Sequence, residues 1–276
     1  MSRTDTLLLL DFDGTVAVGH GPVHAYARAA ASSLDPDARR AFLAEATAAV
    51  DALGDPAPTG HTAGRAAGRT AGRADARGAS ADGLLPLDGY DLVRVLAERH
   101  GVGPLALSAA YLASRHALGT DDAPVSAPLG LAAVLAEVRT EATVVLATNA
   151  PAIRLPETLA ALGLAGLLDG VLTEVGKPAG MAAVLDRLGV APAGPVRALS
   201  VGDVWANDLA PVAARGHATA LISRRPPPEA RPTWTVPDLP ALYPALREWV
   251  RADGRTAPSQ PQPQPARVPA RVTTEG

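Results

Sequence analysis

The chain has 276 residues, of which 47% are hydrophobic but only 3% aromatic, so a sizeable core is available and must be built mainly from Ala, Leu and Val. A formal net charge of -3 implies no chain-wide attraction to nucleic acid or to an anionic membrane, and the absence of Cys excludes disulfide scaffolds, thiolate metal sites and Cys nucleophiles. No apolar run has the length of a membrane span, and Leu7 to Leu10 is too short for a signal-peptide core, which sets the expectation of a cytoplasmic protein.

Thr6 to Asp11 opens with a continuous apolar run, the pattern of a strand buried on both faces in a parallel sheet. Similar runs recur at Thr143 to Thr148, Gly170 to Thr173, Val196 to Val201 and Ala218 to Ile222. Helical patterns alternate with them: Leu131, Leu135 and Val138 share a face, Met181, Val184, Leu185 and Leu188 share another, and Asn207 to Arg215 fits a third. Alternation of strand and helix predicts an α/β fold with a doubly wound, mainly parallel sheet.

The interval 16–125 carries helix signals and few strand signals, so it reads as an α-helical cap domain inserted between core segments 1–15 and 126–250. Asp35-Pro36 fits an N-cap followed by Pro at the first helical position, with Phe42, Ala46, Ala49, Val50 and Leu53 at helical spacing behind it. Asp88 to His100 and Pro104 to Leu118 predict two more helices. Within this interval, 55–82 is a low-complexity insertion in which Ala-Gly-Arg recurs at 63–65, 67–69 and 71–73. Repeated Gly argues against a stable helix there, and a solvated loop is favoured over an anion-binding arm. The segment 251–276, with Pro-Gln repeats, reads as a disordered tail.

Asp11-Phe12-Asp13-Gly14-Thr15 follows the first apolar run directly. Two carboxylates one residue apart project the same way from an extended chain, just past the strand end where open α/β sheets bind ligands. Gly14 permits a sharp turn and Thr15 offers a hydroxyl. Of 25 basic residues, every one but Lys177 is Arg. Either a compact ammonium is required at that position or the survival is chance.

These residues resemble the first motif of the haloacid dehalogenase (HAD) superfamily, in its phosphatase-like branch, and the other motifs follow in order. Thr148-Asn149 at a strand tip resembles the second, Lys177-Pro178 the third, and Gly202-Asp203-Val204-Trp205-Ala206-Asn207-Asp208 the fourth. The resemblance covers 1–15 and 126–225, whereas the cap matches only in position and helical character. It implies a Rossmann-like core and Mg²⁺ held by Asp11, Asp203 and the main-chain carbonyl of Asp13. Asp208 would stand behind these ligands, orienting metal waters or Lys177. Asp11 would be the nucleophile and Asp13 the general acid, then base. Thr148 and Lys177 would contact the transferring phosphoryl group, with Gly14 and Asn149 lining the phosphate site. The Asp at position 13 resembles phosphatases and phosphomutases rather than enzymes that cleave carbon–halogen or carbon–phosphorus bonds.

The implied function is Mg²⁺-dependent hydrolysis of a small phosphorylated metabolite through a phospho-aspartate. A sugar phosphomutase and a non-catalytic binding protein of the same fold stand as alternatives. A small-molecule phosphate ester is the expected partner, with no nucleic acid and no membrane. His20 and His24 are assigned to a solvated linker, and Arg28 and Arg115 to solvated cap positions rather than to substrate contacts. Trp205 fits either the metal-site surroundings or the core.

Overall fold

The computed structural model describes residues 5–53 and 86–252. The readings made for the 55–82 insertion and for the tail beyond 252 fall outside these residues. An unbroken apolar run has no polar face to give to water, and Thr6–Leu10 accordingly forms a central strand, β1, with Leu7 to Leu10 all buried. Four helices follow among the described residues: α1 (Gly21–Ala31), α2 (Pro36–Asp51), α3 (Gly89–Arg99) and α4 (Pro104–Ala117). The chain then alternates through α5 (Leu131–Val138), β2 (Thr143–Ala147), α6 (Leu155–Ala161), β3 (Gly170–Leu172), α7 (Met181–Arg187) and β4 (Arg197–Gly202). A π-helical turn at Trp205–Leu209 leads into α8 (Ala210–Ala213), β5 (Ala218–Ile222), β6 (Trp234–Val236), a 3-10 turn at Leu239–Leu242 and α9 (Tyr243–Arg251).

The six strands form one parallel sheet in the order β3-β2-β1-β4-β5-β6. Leu7 of β1 stands opposite Thr143 of β2 on one side and Ala198 of β4 on the other. The winding reverses between β1 and β4, so the crevice beyond their carboxyl ends is where such a sheet binds its ligand. Side chains alternate across the strands. Leu8, Leu10, Val144, Leu146, Leu199 and Val201 pack on one face beneath α5 and α9. Leu7, Leu9, Val145, Ala147 and Ala198 pack on the other against Met181, Leu185 and Val212.

The cap has a core of its own, built from Val23, Tyr26, Phe42, Val50, Leu92 and Leu96 among others. Its second helix begins at Pro36, and the Asp35 carboxylate accepts hydrogen bonds from the Asp37 and Ala38 amides, the capping role its sequence suggests. Entry and exit of the cap are tied together where Val18 and Ser126 exchange backbone hydrogen bonds, each 2.9 Å long.

The structure corrects three local readings. Asn207 to Arg215 is not one helix: the π turn at Trp205–Leu209 interrupts it before the four-residue α8. The sequence reading also has no counterpart for α1, α6, β6 or α9. Strand β6 has only three residues, too few to show a period, and α6 has only seven. His24 lies within α1 rather than in a linker, half-buried, with its Nε2 3.3 Å from the Asp51 carboxylate.

Candidate active site

Strand β1 delivers Asp11 to the crevice, and the Asp11 amide donates to the Val201 carbonyl at 3.0 Å, which fixes the first motif against β4. The chain then tightens, with the amides of Val16 and Ala17 both donating to the Phe12 carbonyl. Gly14 makes this turn possible. Its φ is +78°, and a Cβ there would collide with the Asp203 carboxylate. The glycine is therefore both a backbone requirement and the clearance that lets Asp203 approach. Thr15 is fully buried.

Asp203 follows β4, and the π turn behind it returns Asp208 to the same spot. The Val204 amide donates to Asp208 Oδ2 at 3.1 Å, while Ser200 Oγ donates to the Asp208 carbonyl at 2.8 Å. The turn that broke the expected helix is thus the device that folds Asp208 inward. Carboxylate oxygens of Asp11, Asp203 and Asp208 lie within 4.8 Å of one another.

Lys177 reaches this cluster from the loop after β3. Its Nζ donates to Asp11 Oδ1 at 2.6 Å and to Asp208 Oδ1 at 2.7 Å, and its side chain is 3% exposed. Asn149 holds the loop in place: its Oδ1 accepts from the Lys177 amide at 2.6 Å and its Nδ2 donates to the Lys177 carbonyl at 3.2 Å. The Asn149 side chain, expected to face phosphate, is thereby committed to the backbone that carries Lys177. Thr148 directly follows β2, buried, with its Oγ1 accepting from the Ala150 amide at 3.0 Å.

The electrostatics of this cluster are unbalanced. Burial, then repulsion from Asp208, pushes Asp11 up to about 8 even though Lys177 pulls the other way. Burial and the neighbouring Asp11 and Asp208 raise Asp203 well above the ordinary carboxylate range, and burial raises Asp208 against the opposing pull of Lys177. Burial works against the Lys177 charge, but Asp11 and Asp208 outweigh it and hold its pKa above the usual value. Clustered buried carboxylates cannot all ionise beside a single ammonium. A divalent cation added to Lys177 balances the three carboxylate charges, and an all-oxygen donor set suits a hard ion such as Mg²⁺. The residues fit such an ion, which Asp11 and Asp203 would hold, while Asp208 is already bonded to Lys177 and Val204.

Asp13 faces away from this cluster toward the cap, and its partner is a residue the sequence reading set aside. Arg115 of α4 is fully buried, not solvated. Its Nη1 donates to Asp13 Oδ1 at 2.9 Å, to Asp13 Oδ2 at 3.2 Å and to the Tyr90 hydroxyl at 3.1 Å. Burial opposes its charge, but Asp13 and Tyr90 keep its pKa above the ordinary guanidinium value. Tyr90 also packs against Tyr26 and Tyr111, with ring centroids 5.8 and 5.6 Å away. One signal in the sequence points to Arg115: it falls on α4 among apolar Leu107 and Ala110, where a charged side chain needs a partner. By contrast Arg28 is exposed and bonds the Asp122 carbonyl, in keeping with its solvated assignment. Trp205 packs beside Leu209, Leu221 and Ala230, on the core side of its two alternatives.

No protein-family model and no curated protein matches this chain. Solved structures do. The HAD-hydrolase YfnB from Bacillus subtilis, bound to magnesium, is 14% identical with a TM-score of 0.50, the match covering 89% of this chain and 99% of that one. A HAD phosphatase from Thermococcus onnurineus is 18% identical, with a TM-score of 0.48 over 87% of this chain and 97% of its own. A 2-haloacid dehalogenase from Pseudomonas syringae is 15% identical, with a TM-score of 0.47 over 90% and 100%. The chain has the haloacid dehalogenase fold, a parallel Rossmann-like sheet flanked by helices.

Proposed function

We propose that this protein is a Mg²⁺-dependent phosphomonoester hydrolase that works through a phospho-aspartate at Asp11. The observation that carries the reading is the single ammonium of Lys177 bridging Asp11 and Asp208 inside the three-carboxylate cluster. The four motifs of the HAD phosphatases support it, as does the magnesium bound by the fold relative YfnB.

A carboxylate nucleophile must be anionic, yet burial and Asp208 hold Asp11 up at about 8. Lys177 supplies one positive charge against it. A divalent cation held by Asp11 and Asp203 would supply the remaining positive charge and lower the repulsion between substrate and nucleophile. An Asp11 oxygen then attacks phosphorus and the bond to the leaving oxygen breaks. Asp13, two residues along and on the cap side, gives its proton to that oxygen. In the second half, water attacks the aspartyl-phosphate, Asp13 takes the water's proton, and inorganic phosphate departs with Asp11 restored. Thr148 retains a hydroxyl proton to donate to a phosphoryl oxygen, while Lys177 stays on the charge that develops. Asn149 fixes the loop that aims Lys177.

Turnover of p-nitrophenyl phosphate and of a panel of phosphorylated metabolites, with Mg²⁺ and with chelator, tests the reading. Mg²⁺-dependent release of phosphate is expected, with Asp11→Asn lowering it by at least about 10³-fold. Wild-type turnover by Asp11→Asn contradicts the nucleophile, and inactivity across the panel contradicts the function.

A further inference from the structure

The cap holds a cavity of about 670 Å³ bordered by α1, α3 and α4, and its walls are of two kinds. Three tyrosines line it. Tyr90 stands 5.8 Å from Tyr26 and 5.6 Å from Tyr111, centroid to centroid, and Tyr26 and Tyr111 meet edge to face at 6.2 Å. Leu107 and Leu112 of α4 extend this apolar surface. The charged wall is Asp88 and, along α3, Asp91, Arg94 and Glu98. A cavity of this size takes an organic group rather than a bare ion, and aromatic rings bordered by carboxylates attract a cationic one.

The charges decide the sign of the guest. Arg94 is consumed within its own helix, its Nη2 2.6 Å from Asp91 and its Nη1 2.9 Å from Glu98. Asp88 caps α3, with Oδ1 accepting from the Asp91 amide at 2.8 Å, and no cation among the described residues pairs with it. Three carboxylates therefore face one guanidinium, and the surplus is negative. Burial pushes Tyr26 and Tyr111 up to about 12, so their rings stay neutral. An anion entering this cavity is repelled, and an uncharged group gains nothing from Asp88. An ammonium is stabilised by Asp88 and by the tyrosine rings together.

The cavity borders the reaction centre. The Tyr90 hydroxyl accepts from Arg115 Nη1, the same atom that holds Asp13. Burial raises Asp88, with Asp91 and Asp13 adding to the rise against the pull of the Asp91 amide, and Asp88 in turn adds to the elevation of Asp203. A group held there is on the Asp13 side, where the leaving alcohol departs.

We propose that the tyrosine-lined cap cavity binds an organic ammonium group carried by the leaving alcohol, with Asp88 as its counter-ion. This rests on the phosphatase reading and names its substrate class: phosphomonoesters of alcohols that carry an ammonium group.

Two measurements on the full chain with Mg²⁺ separate the proposal from the reading beneath it. Turnover compares phosphocholine with 3,3-dimethylbutyl phosphate, which has the same shape and carbon in place of the charged nitrogen. The charged ester is expected to be favoured by about tenfold or more in kcat/KM. Asp88→Asn removes the charge and keeps a helix cap, so the ratio narrows to within about threefold. Calorimetry compares choline with 3,3-dimethylbutanol, and choline is expected to bind about tenfold or more tightly, a difference that Asp88→Asn removes. Equal kcat/KM for the two esters, or a preference that survives Asp88→Asn, overturns the proposal and leaves the phosphatase standing. Equal binding of choline and its neutral isostere overturns it whatever the turnover. Inactivity toward both esters and p-nitrophenyl phosphate, with choline still selectively bound, removes the phosphatase reading and leaves the cavity as an ammonium site. Should Asp88→Asn fail to fold, Tyr111→Leu removes an aromatic face instead, with the same narrowing expected in both measurements.

Discussion

The sheet edge and the cap each set a buried cation against carboxylates, and they do so to different degrees of completion. Lys177 is shared by Asp11 and Asp208, and the cluster around it reaches neutrality once a divalent ion is added. Arg115 pairs with Asp13 and still has two donors unmet. The first arrangement is suited to a constant partner, the phosphoryl group and its metal. The second ties the other carboxylate of the first motif to the cap. The two aspartates of the first motif are thus held from different sides, Asp11 by Lys177 at the strand ends and Asp13 by Arg115 of the cap.

If that division holds, damage on the sheet side should remove turnover for every ester. Asp11→Asn is expected to cost at least about 10³-fold in kcat, read by phosphate release. Asp13→Asn, at the boundary, should lose about 10²–10⁴-fold, with the loss smaller for p-nitrophenyl phosphate, whose leaving group needs little protonation. Equal losses for activated and unactivated esters would remove Asp13 from the acid role. Phe42, fully buried in the separate cap core, sharpens the comparison from the other side. Phe42→Ala should destabilise the cap by about 3–5 kcal/mol, seen in chemical denaturation as an early transition that spares the sheet. A single transition shifted as a whole would show that the two cores unfold as one.

Metal linkage gives a smaller effect with a definite sign. Asp11 is raised to about 8 in the folded protein from an ordinary 3.8, so its burial favours folding least where it must ionise. The associated stability is fully present below about pH 4 and is lost as pH rises through about 8. Mg²⁺ should restore it, stabilising by about 2.7 kcal/mol at a hundredfold excess over its Kd. The rise in Tm on adding Mg²⁺ is therefore expected to be larger at pH 8 than at pH 5, and an equal rise at both would detach Asp11 from the metal. Gly14→Ala should be the mildest in stability, about 1–2 kcal/mol from its left-handed backbone, while weakening Mg²⁺ binding by displacing Asp203.

The legibility of the two sides differs for a physical reason. Asp11, Thr148, Lys177, Asp203 and Asp208 sit at or just beyond the ends of apolar strand runs, and a parallel sheet brings successive strand ends together. The local pattern therefore supports the convergence that the family resemblance implies. The resemblance already implied Asp208 behind the cluster, but the device that brings it there was not readable, because nothing in Trp205 to Leu209 announces a π turn. Arg115 was obscured differently. It is one arginine in a chain where Arg fills nearly every basic position, and its partner lies 102 residues away across a cap whose packing no strand order dictates. Asn149 shows a third case: its place at the strand tip was evident, but its attachment to the Lys177 backbone depends on how a later loop returns.

The most direct measurement of the central claim is an acid quench of the wild-type protein during turnover with Mg²⁺ and a phosphomonoester, followed by mass spectrometry of the peptides. A single added phosphoryl group on the peptide containing Asp11, absent without Mg²⁺ and absent from Asp11→Asn, is the expected result. Steady turnover with that peptide unmodified at every quench time, or a phosphoryl group on another residue, would contradict it.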